Sequence, residues 1–286
     1  MGENYTNNLA TRLIGELKPR CLAMTGVCAG NKKEVFLGDV IVANQVFKLD
    51  YGKLVANYKS KDNQQVRTEE IFHDLRTYNL KRQWEFAIQD FPQDWLNTIQ
   101  TPRPKSYDHQ ERWLLKKLYD YQQQPENYPP PQYHPERPTE CPDWKEVIQG
   151  LRKQESLKTD SVELTEKALK EINNERLEYL EDQHYKDPLN PQIHIGVIAT
   201  TSKLQKDPQL FQRIEKIQRK ILGVEMEGAA IGAVAEIQEI PIIIVKGVQD
   251  YADDDKNDQF REYAAEVSAR FLLAFFTTIK LDLPTT

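Results

Sequence analysis

The chain has 286 residues, 39% of them hydrophobic and 29% charged, with a formal net charge of -6. That length supports one large domain over residues 1–286 with its own core, and the interspersed charges exclude the dense basic face of a nucleic-acid binder. No apolar run reaches the roughly 18 residues that span a bilayer, the polar start Met1 to Asn8 does not read as a signal peptide, and the three cysteines lack CxxC spacing. The expectation is a cytoplasmic protein with reduced thiols, no disulfide framework, no metal and no cofactor.

Leu9 to Lys18 carries Leu9, Leu13, Ile14 and Leu17 at helical spacing, and Pro19 ends that helix. The apolar run Cys21 to Thr25 reads as a buried strand. It leads into a glycine loop, Thr25-Gly-Val-Cys-Ala-Gly30, and a second strand, Asp39 to Ala43, follows the turn at Gly38. Residues 59–190 differ in composition, holding most of the prolines and tyrosines, and read as a largely helical insertion within the domain. Within it, residues 122–142 have a composition compatible with disorder, whereas Leu164 to Tyr179 has the pattern of an amphipathic helix. Strand and helix then alternate: Ile193 to Ala199, Pro208 to Lys220, Glu225 to Ile237, Ile242 to Val248, and a last helix from about Asp258 to Ile279. Unbroken apolar strands between helices predict an α/β fold, a mainly parallel central sheet with helices on both faces. Ligands of such sheets bind at the carboxyl ends of strands, here the Gly26 loop, the Thr200 region and Gln249-Asp250.

Two stretches carry acids where chemistry needs them. In Val224-Glu-Met-Glu-Gly-Ala-Ala230 two carboxylates flank Met226, and Asp250 follows an apolar strand. Glu225 and Glu227 are equally compatible with solvated charges at a helix N-terminus, and Asp250 with a cap in an acidic loop. Cleavage of an N-ribosidic bond would use such a set, because it builds oxocarbenium character on the sugar and negative charge on the departing base. The glycine loop lacks dinucleotide-binding spacing and the Walker pair, so it is either a close approach to a flat base or a tight turn. Lys81-Arg82 and Arg112 to Lys117 read as solvated faces rather than phosphate ligands. His73, His109, His134, His184 and His194 have no metal-ligand spacing.

Taken in order, Thr25-Gly-Val-Cys-Ala-Gly30, Leu37-Gly-Asp-Val-Ile-Val-Ala43, Val224-Glu-Met-Glu-Gly-Ala-Ala230 and Gln249-Asp-Tyr-Ala-Asp253 resemble the nucleoside phosphorylase and nucleosidase superfamily. Within it, the methylthioadenosine and S-adenosylhomocysteine nucleosidases are the most similar group, and Lys256-Asn257, Phe260 and Tyr263-Ala-Ala265 look like bacterial effector-type members. The resemblance covers residues 5–50 and 193–279. It implies that Glu227 holds the ribose hydroxyls, Met226 packs beneath the sugar and Asp250 serves the purine at N7, with Glu225 as a second acid. Cys28 and Ala29 match the loop along the base, and Leu204 and Gln205 match positions that contact the purine. Gln249 stands where the nucleosidases usually have serine, and Thr201 where they have glycine.

The resemblance also implies an upstream strand bearing a water-activating glutamate, ahead of the helix with which this sequence starts, and hence a sheet edge needing cover. The expected function is hydrolysis of adenine-type nucleosides or nucleotides by a homo-oligomer, with a dimer favoured. A non-catalytic nucleoside-binding module and a phosphate-dependent phosphorylase are the alternatives.

Overall fold

The computed structural model describes residues 3–61, 64–173, 187–203, 206–253 and 258–278. They fall into two compact units, Met1–Arg103 with Asn190–Thr286, and Pro104–Leu189. The second unit begins well after the compositional boundary at 59, and residues 59–103 group with the outer segments.

The first unit opens with helix α1 (Glu3–Leu17), closed by Lys18, whose φ of 45° is the left-handed conformation common just past a helix end. Of the apolar positions Leu9, Leu13, Ile14 and Leu17, Ile14 is buried while the three leucines are exposed, and Ala10 joins Ile14 against Val234 and Ile231. Positions 10 and 14 form the stripe adjacent to 9, 13 and 17, and the docking partner selects between stripes. The strands β1 (Leu22–Gly30), β2 (Val40–Lys48), β3 (Gly52–Lys61), β4 (Gln64–His73) and β5 (Thr77–Asn79) follow. Then come α2 (Arg82–Gln89) and a short 3-10 turn, Asp94–Thr98. The unit resumes with β6 (Ile193–Thr200), β7 (Ile221–Glu225) and β8 (Ile242–Asp250).

The main sheet has the order β5-β2-β6-β7-β1-β8, and β2 also pairs with β8, so five strands close on themselves. It is mixed rather than mainly parallel. β1–β8, β2–β6 and β6–β7 run parallel, while β1–β7, β2–β5 and β2–β8 run antiparallel. Unbroken apolar strands report burial of both faces and say nothing of direction, and the antiparallel joins are what close the ring. Those joins also pair strand edges that an open sheet would leave bare. The predicted loop at Gly26 to Gly30 is instead the second half of β1. Among the described residues β3 and β4 pair only with each other, from Gly52↔His73 to Lys61↔Gln64.

Alternation along the strands feeds two cores. Val40, Val42, Ile243 and Val245 join Trp84, Phe271 and Phe275, beneath a helix running Arg261–Thr278. Ile41, Ala43, Ile242, Ile244 and Val248 join Cys28, Ala229 and Ala235, the alanines coming from a helix at Gly228–Ile237. With Leu210–Glu215 completing the set, helices flank the sheet as expected, although the helix predicted over Pro208 to Lys220 is one and a half turns long.

The second unit is helical, with Tyr107–Gln123, Arg137–Glu140, Trp144–Lys153 and Glu166–Glu171. These elements become α3, α4, α5 and α6, and the later helices Leu210–Glu215, Gly228–Ile237 and Arg261–Thr278 become α7, α8 and α9. Leu114, Leu118, Cys141, Leu151, Leu164 and Ile172 form its core. The proline-rich stretch 122–142 is ordered here, with Pro131 and Cys141 buried. Prolines interrupt its helices by removing N–H donors, but apolar side chains of α3 and α5 still cover it. Ala168 and Ile172 are buried as the amphipathic pattern expects, but Leu164 sits in an isolated bridge with Leu157 ahead of α6, and the rest of the predicted helix to Tyr179 lies largely outside the described residues.

Candidate active site

Strand register gathers the acid-bearing ends. Lys48 pairs with Thr200, and Thr200 with Glu225. Val224 pairs with Ala29, and Ala29 with Asp250. The β1–β8 register slips between Cys28 and Ala29, so Gln249 is the extra residue of a bulge. Bulges re-aim side chains, and this one sits directly before Asp250. Thus Ala29 lies between the strand that ends in Glu225 and the strand that ends in Asp250.

Glu225 is not a solvated charge. Its side chain is 1% exposed and lies 2.9 Å from the Nζ of Lys246, itself 2% exposed. Its carboxylate accepts the Thr200 hydroxyl at 2.5 Å, the Glu227 amide at 3.0 Å and the Gly228 amide at 2.9 Å. Burial pushes its pKa up, but the Lys246 charge and these donors outweigh that and hold it below the ordinary carboxylate range. The Thr200 hydroxyl in turn accepts the Ala229 amide at 2.8 Å. Three of the unpaired amides at the start of α8 are therefore satisfied from β6 and β7.

Glu227 occupies the N-cap position of α8 without a side-chain capping bond. Half-buried, it is pushed above the usual carboxylate range by desolvation and by Glu225, against the pull of Lys246. Met226 between them is half-buried too. Asp250 is buried. One oxygen accepts the Ala252 amide at 2.8 Å and the other the Gln249 side-chain amide at 2.8 Å. This is a local turn and not a helix cap, since the next described helix, α9, starts at Arg261. Ala252 is held at φ 57°, a region non-glycine residues seldom occupy, and its carbonyl accepts the Asp207 amide at 2.7 Å.

Cys28 is buried with its thiol at the inner side of the ring. Burial raises its pKa, Lys246 opposes this, and Glu225 and Asp250 add to it. Burial therefore favours the neutral thiol over the thiolate. Gly26 pairs with Lys246 across β1–β8, and a Cβ there would stand 3.3 Å from the lysine Nζ. This glycine clears space for a buried cation. Leu204 and Gln205 lie outside the described residues.

Two neighbours carried no weight in the sequence, Lys246 and Asp50, and Thr200 entered only as part of a strand end. Lys246 shares strand parity with Ile242, Ile244 and Val248, so a charge at an inward position of an apolar run was the available signal. Asp50, just past β2, accepts the Thr201 hydroxyl at 3.0 Å and the Ser202 amide and hydroxyl at 2.5 and 2.7 Å. Desolvation notwithstanding, those bonds and Lys48 hold it below the usual carboxylate range. It thereby pins the loop that leaves β6.

Other candidates have local roles. His194 lies 2.8 Å from the fully buried Asp39, which also accepts the Phe36 and Gln192 amides at 3.0 Å. His73 contacts the Leu49 carbonyl and His109 the Glu140 carboxylate, and His184 lies outside the described residues. Lys81 and Arg82 lie over Trp84 and Phe86, and Lys117 pairs with Glu136 at 3.3 Å. Among the described residues no group of three or more His, Cys, Asp or Glu is gathered to hold a metal, and no helix is long and apolar enough to cross a membrane.

A partly closed mixed sheet flanked by helices, with buried acids at converging strand ends, defines a mixed α/β protein. The profile of the phosphorylase superfamily matches residues 1–277, and the chain belongs to that superfamily. Among curated proteins it is 31% identical over 104 residues to a 5'-methylthioadenosine/S-adenosylhomocysteine nucleosidase of Bacillus cytotoxicus, a match covering 35% of this chain and 45% of the relative. It is 33% identical over 94 residues to the Bacillus cereus protein of that description, covering 32% and 41%. The chain matches under half the length of these relatives. Among solved structures, the Streptococcus pneumoniae MTA/SAH nucleosidase in complex with 8-aminoadenine has a TM-score of 0.51 at 15% identity, covering 98% of this chain and 78% of the other. The Streptococcus pyogenes S-adenosylhomocysteine nucleosidase in complex with 5-methylthiotubericidin scores 0.50 at 17% identity, covering 98% and 77%. At these identities the likeness is one of fold.

Proposed function

We propose that this chain forms a purine nucleosidase site that hydrolyses the N-ribosidic bond of adenine-type nucleosides or nucleotides. The observation carrying the reading is the register that places Ala29 between the strands ending in Glu225 and Asp250. A flat base lying along Ala29 would have one acid on its own side and the α8 acids on the sugar side. Asp250 serves the purine at N7, by protonating or hydrogen-bonding it, as the C1′–N9 electron pair moves into the purine. Water adds at C1′, and the proton it releases balances the one the base takes up, so water and nucleoside become free base and ribose product. Glu227 accepts the ribose hydroxyls, and its charge favours the cationic sugar of the transition state. Met226 packs beneath the sugar. Adenine specificity is supported by relatives described as adenosine-type nucleosidases.

The work is assigned to a cytoplasmic homo-oligomer, a dimer by family analogy. Hydrolysis is favoured over phosphorolysis because the basic pairs at Lys81-Arg82 and Lys117 engage rings and carboxylates locally. The test is incubation of the protein with methylthioadenosine, S-adenosylhomocysteine, adenosine, AMP and ATP, each with and without phosphate. Adenine release independent of phosphate supports a nucleosidase. Release only with phosphate makes it a phosphorylase, and binding without release makes it a nucleoside-binding module.

A further inference from the structure

The buried pair of Lys246 and Glu225 has no counterpart in the roles assigned above. A lysine at 2% side-chain exposure, 2.9 Å from a carboxylate at 1%, is costly, because both charges have left water. Its surroundings are shaped to keep it. Gly26 lacks the Cβ that would crowd its Nζ, and Gly228 lacks the Cβ that would stand 2.9 Å from the Glu225 carboxylate. The carboxylate so neutralised is the acceptor for the amides of Glu227 and Gly228, the first residues of α8. Lys246 belongs to β8, four residues before Asp250, whereas Glu227 stands at the head of α8. One ion pair therefore ties the strand that carries Asp250 to the turn that carries Glu227.

We infer that Lys246 is a positioning residue: by keeping Glu225 charged and in place, it fixes the backbone from which Glu227 reaches the ribose. This rests on the ribose role of Glu227 proposed above. The lysine touches no substrate in this account. It acts through Glu225, and its removal strikes recognition of the sugar while sparing recognition of the base.

The experiment is Lys246→Met, read two ways. Without substrate, hydrogen exchange at the Glu227 and Gly228 amides is expected to accelerate at least tenfold, because their acceptor loses its counter-charge. With substrate, the KM for methylthioadenosine is expected to rise at least tenfold while the dissociation constant for free adenine, which has no ribose, stays within twofold. Should the single variant fail to fold, Glu225→Gln/Lys246→Met leaves no uncompensated charge, and the same two changes are expected of it. A folded variant with wild-type protection at both amides and an unchanged KM overturns the inference, as a purely structural lysine would give. If the wild-type protein processes no nucleoside at all, the ribose reading falls, and the exchange result alone decides whether Lys246 holds the turn.

Discussion

Glu225 and Glu227 are two residues apart and meet opposite environments. The first is sealed against Lys246 and two amides and is held in its charged form. The second is half-buried, and desolvation together with the Glu225 charge raises its pKa. Paired carboxylates whose surroundings separate their pKa values take separate tasks, which in the function proposed above are an internal brace and a ligand-facing group. Replacing Glu227 by Gln is expected to weaken nucleoside binding by about 1.5–3 kcal/mol, the range for a hydrogen bond to a charged group, measured by calorimetry against adenine as a control that should not change. Both glutamates and Asp250 stood out in the sequence because acids beside small residues and past an apolar strand are unusual. Which glutamate was internal was not legible, since that depends on Lys246 arriving from another strand. Asp50 was equally hidden, because its partners, Thr201 and Ser202, lie about 150 residues away. Asp50→Ala should accelerate exchange of the Ser202 amide several-fold and alter global stability by less than about 1 kcal/mol, as expected for a partly exposed carboxylate.

At the scale of elements, β8 and α9 pack closely. A Cβ on Gly247 would overlap the Ala264 carbonyl oxygen, so strand and helix backbones meet directly there. Gly247→Ala should destabilise the fold by about 3 kcal/mol, the upper part of the overpacking range, in chemical denaturation. Strand positions were legible for β2, β6 and β8 because their apolar runs are continuous. β1 was cut short because Gly26 and Gly30 look like turn residues until Lys246 and the Val248 side chain are seen across from them. The β3–β4 hairpin escaped notice because its residues are too polar and too weakly alternating to announce strands. In α1 the helix and the buried Ile14 were legible, but its full stripe was not, since Leu9, Leu13 and Leu17 outweigh Ala10 in hydrophobicity.

Across the whole molecule, the closed sheet and the superfamily membership agree, while the direction of the strands could only come from their pairing. Acid stability offers a global probe. Glu266 on α9 accepts the Gln100 and Thr101 amides at 3.0 and 2.7 Å. The Thr101 bonds, ahead of a small opposing desolvation, lower its pKa from 4.5 to about 2. A depressed folded pKa means that this contribution is present above about pH 4.5 and is lost as pH falls toward 2. Glu266→Gln should therefore lower stability at neutral pH and flatten its decline between those values, followed by thermal unfolding at a series of pH values. An unchanged slope would remove Glu266 as a source of that decline.

The most direct test of the account is chromatographic measurement of free adenine from the five adenine nucleosides and nucleotides, comparing the wild-type protein with Asp250→Asn. The account predicts adenine from at least one substrate with the wild type and none above background with the variant, whose circular dichroism should match the wild type. Equal adenine release from the two proteins would contradict the assignment of Asp250 as the acid that serves the departing base.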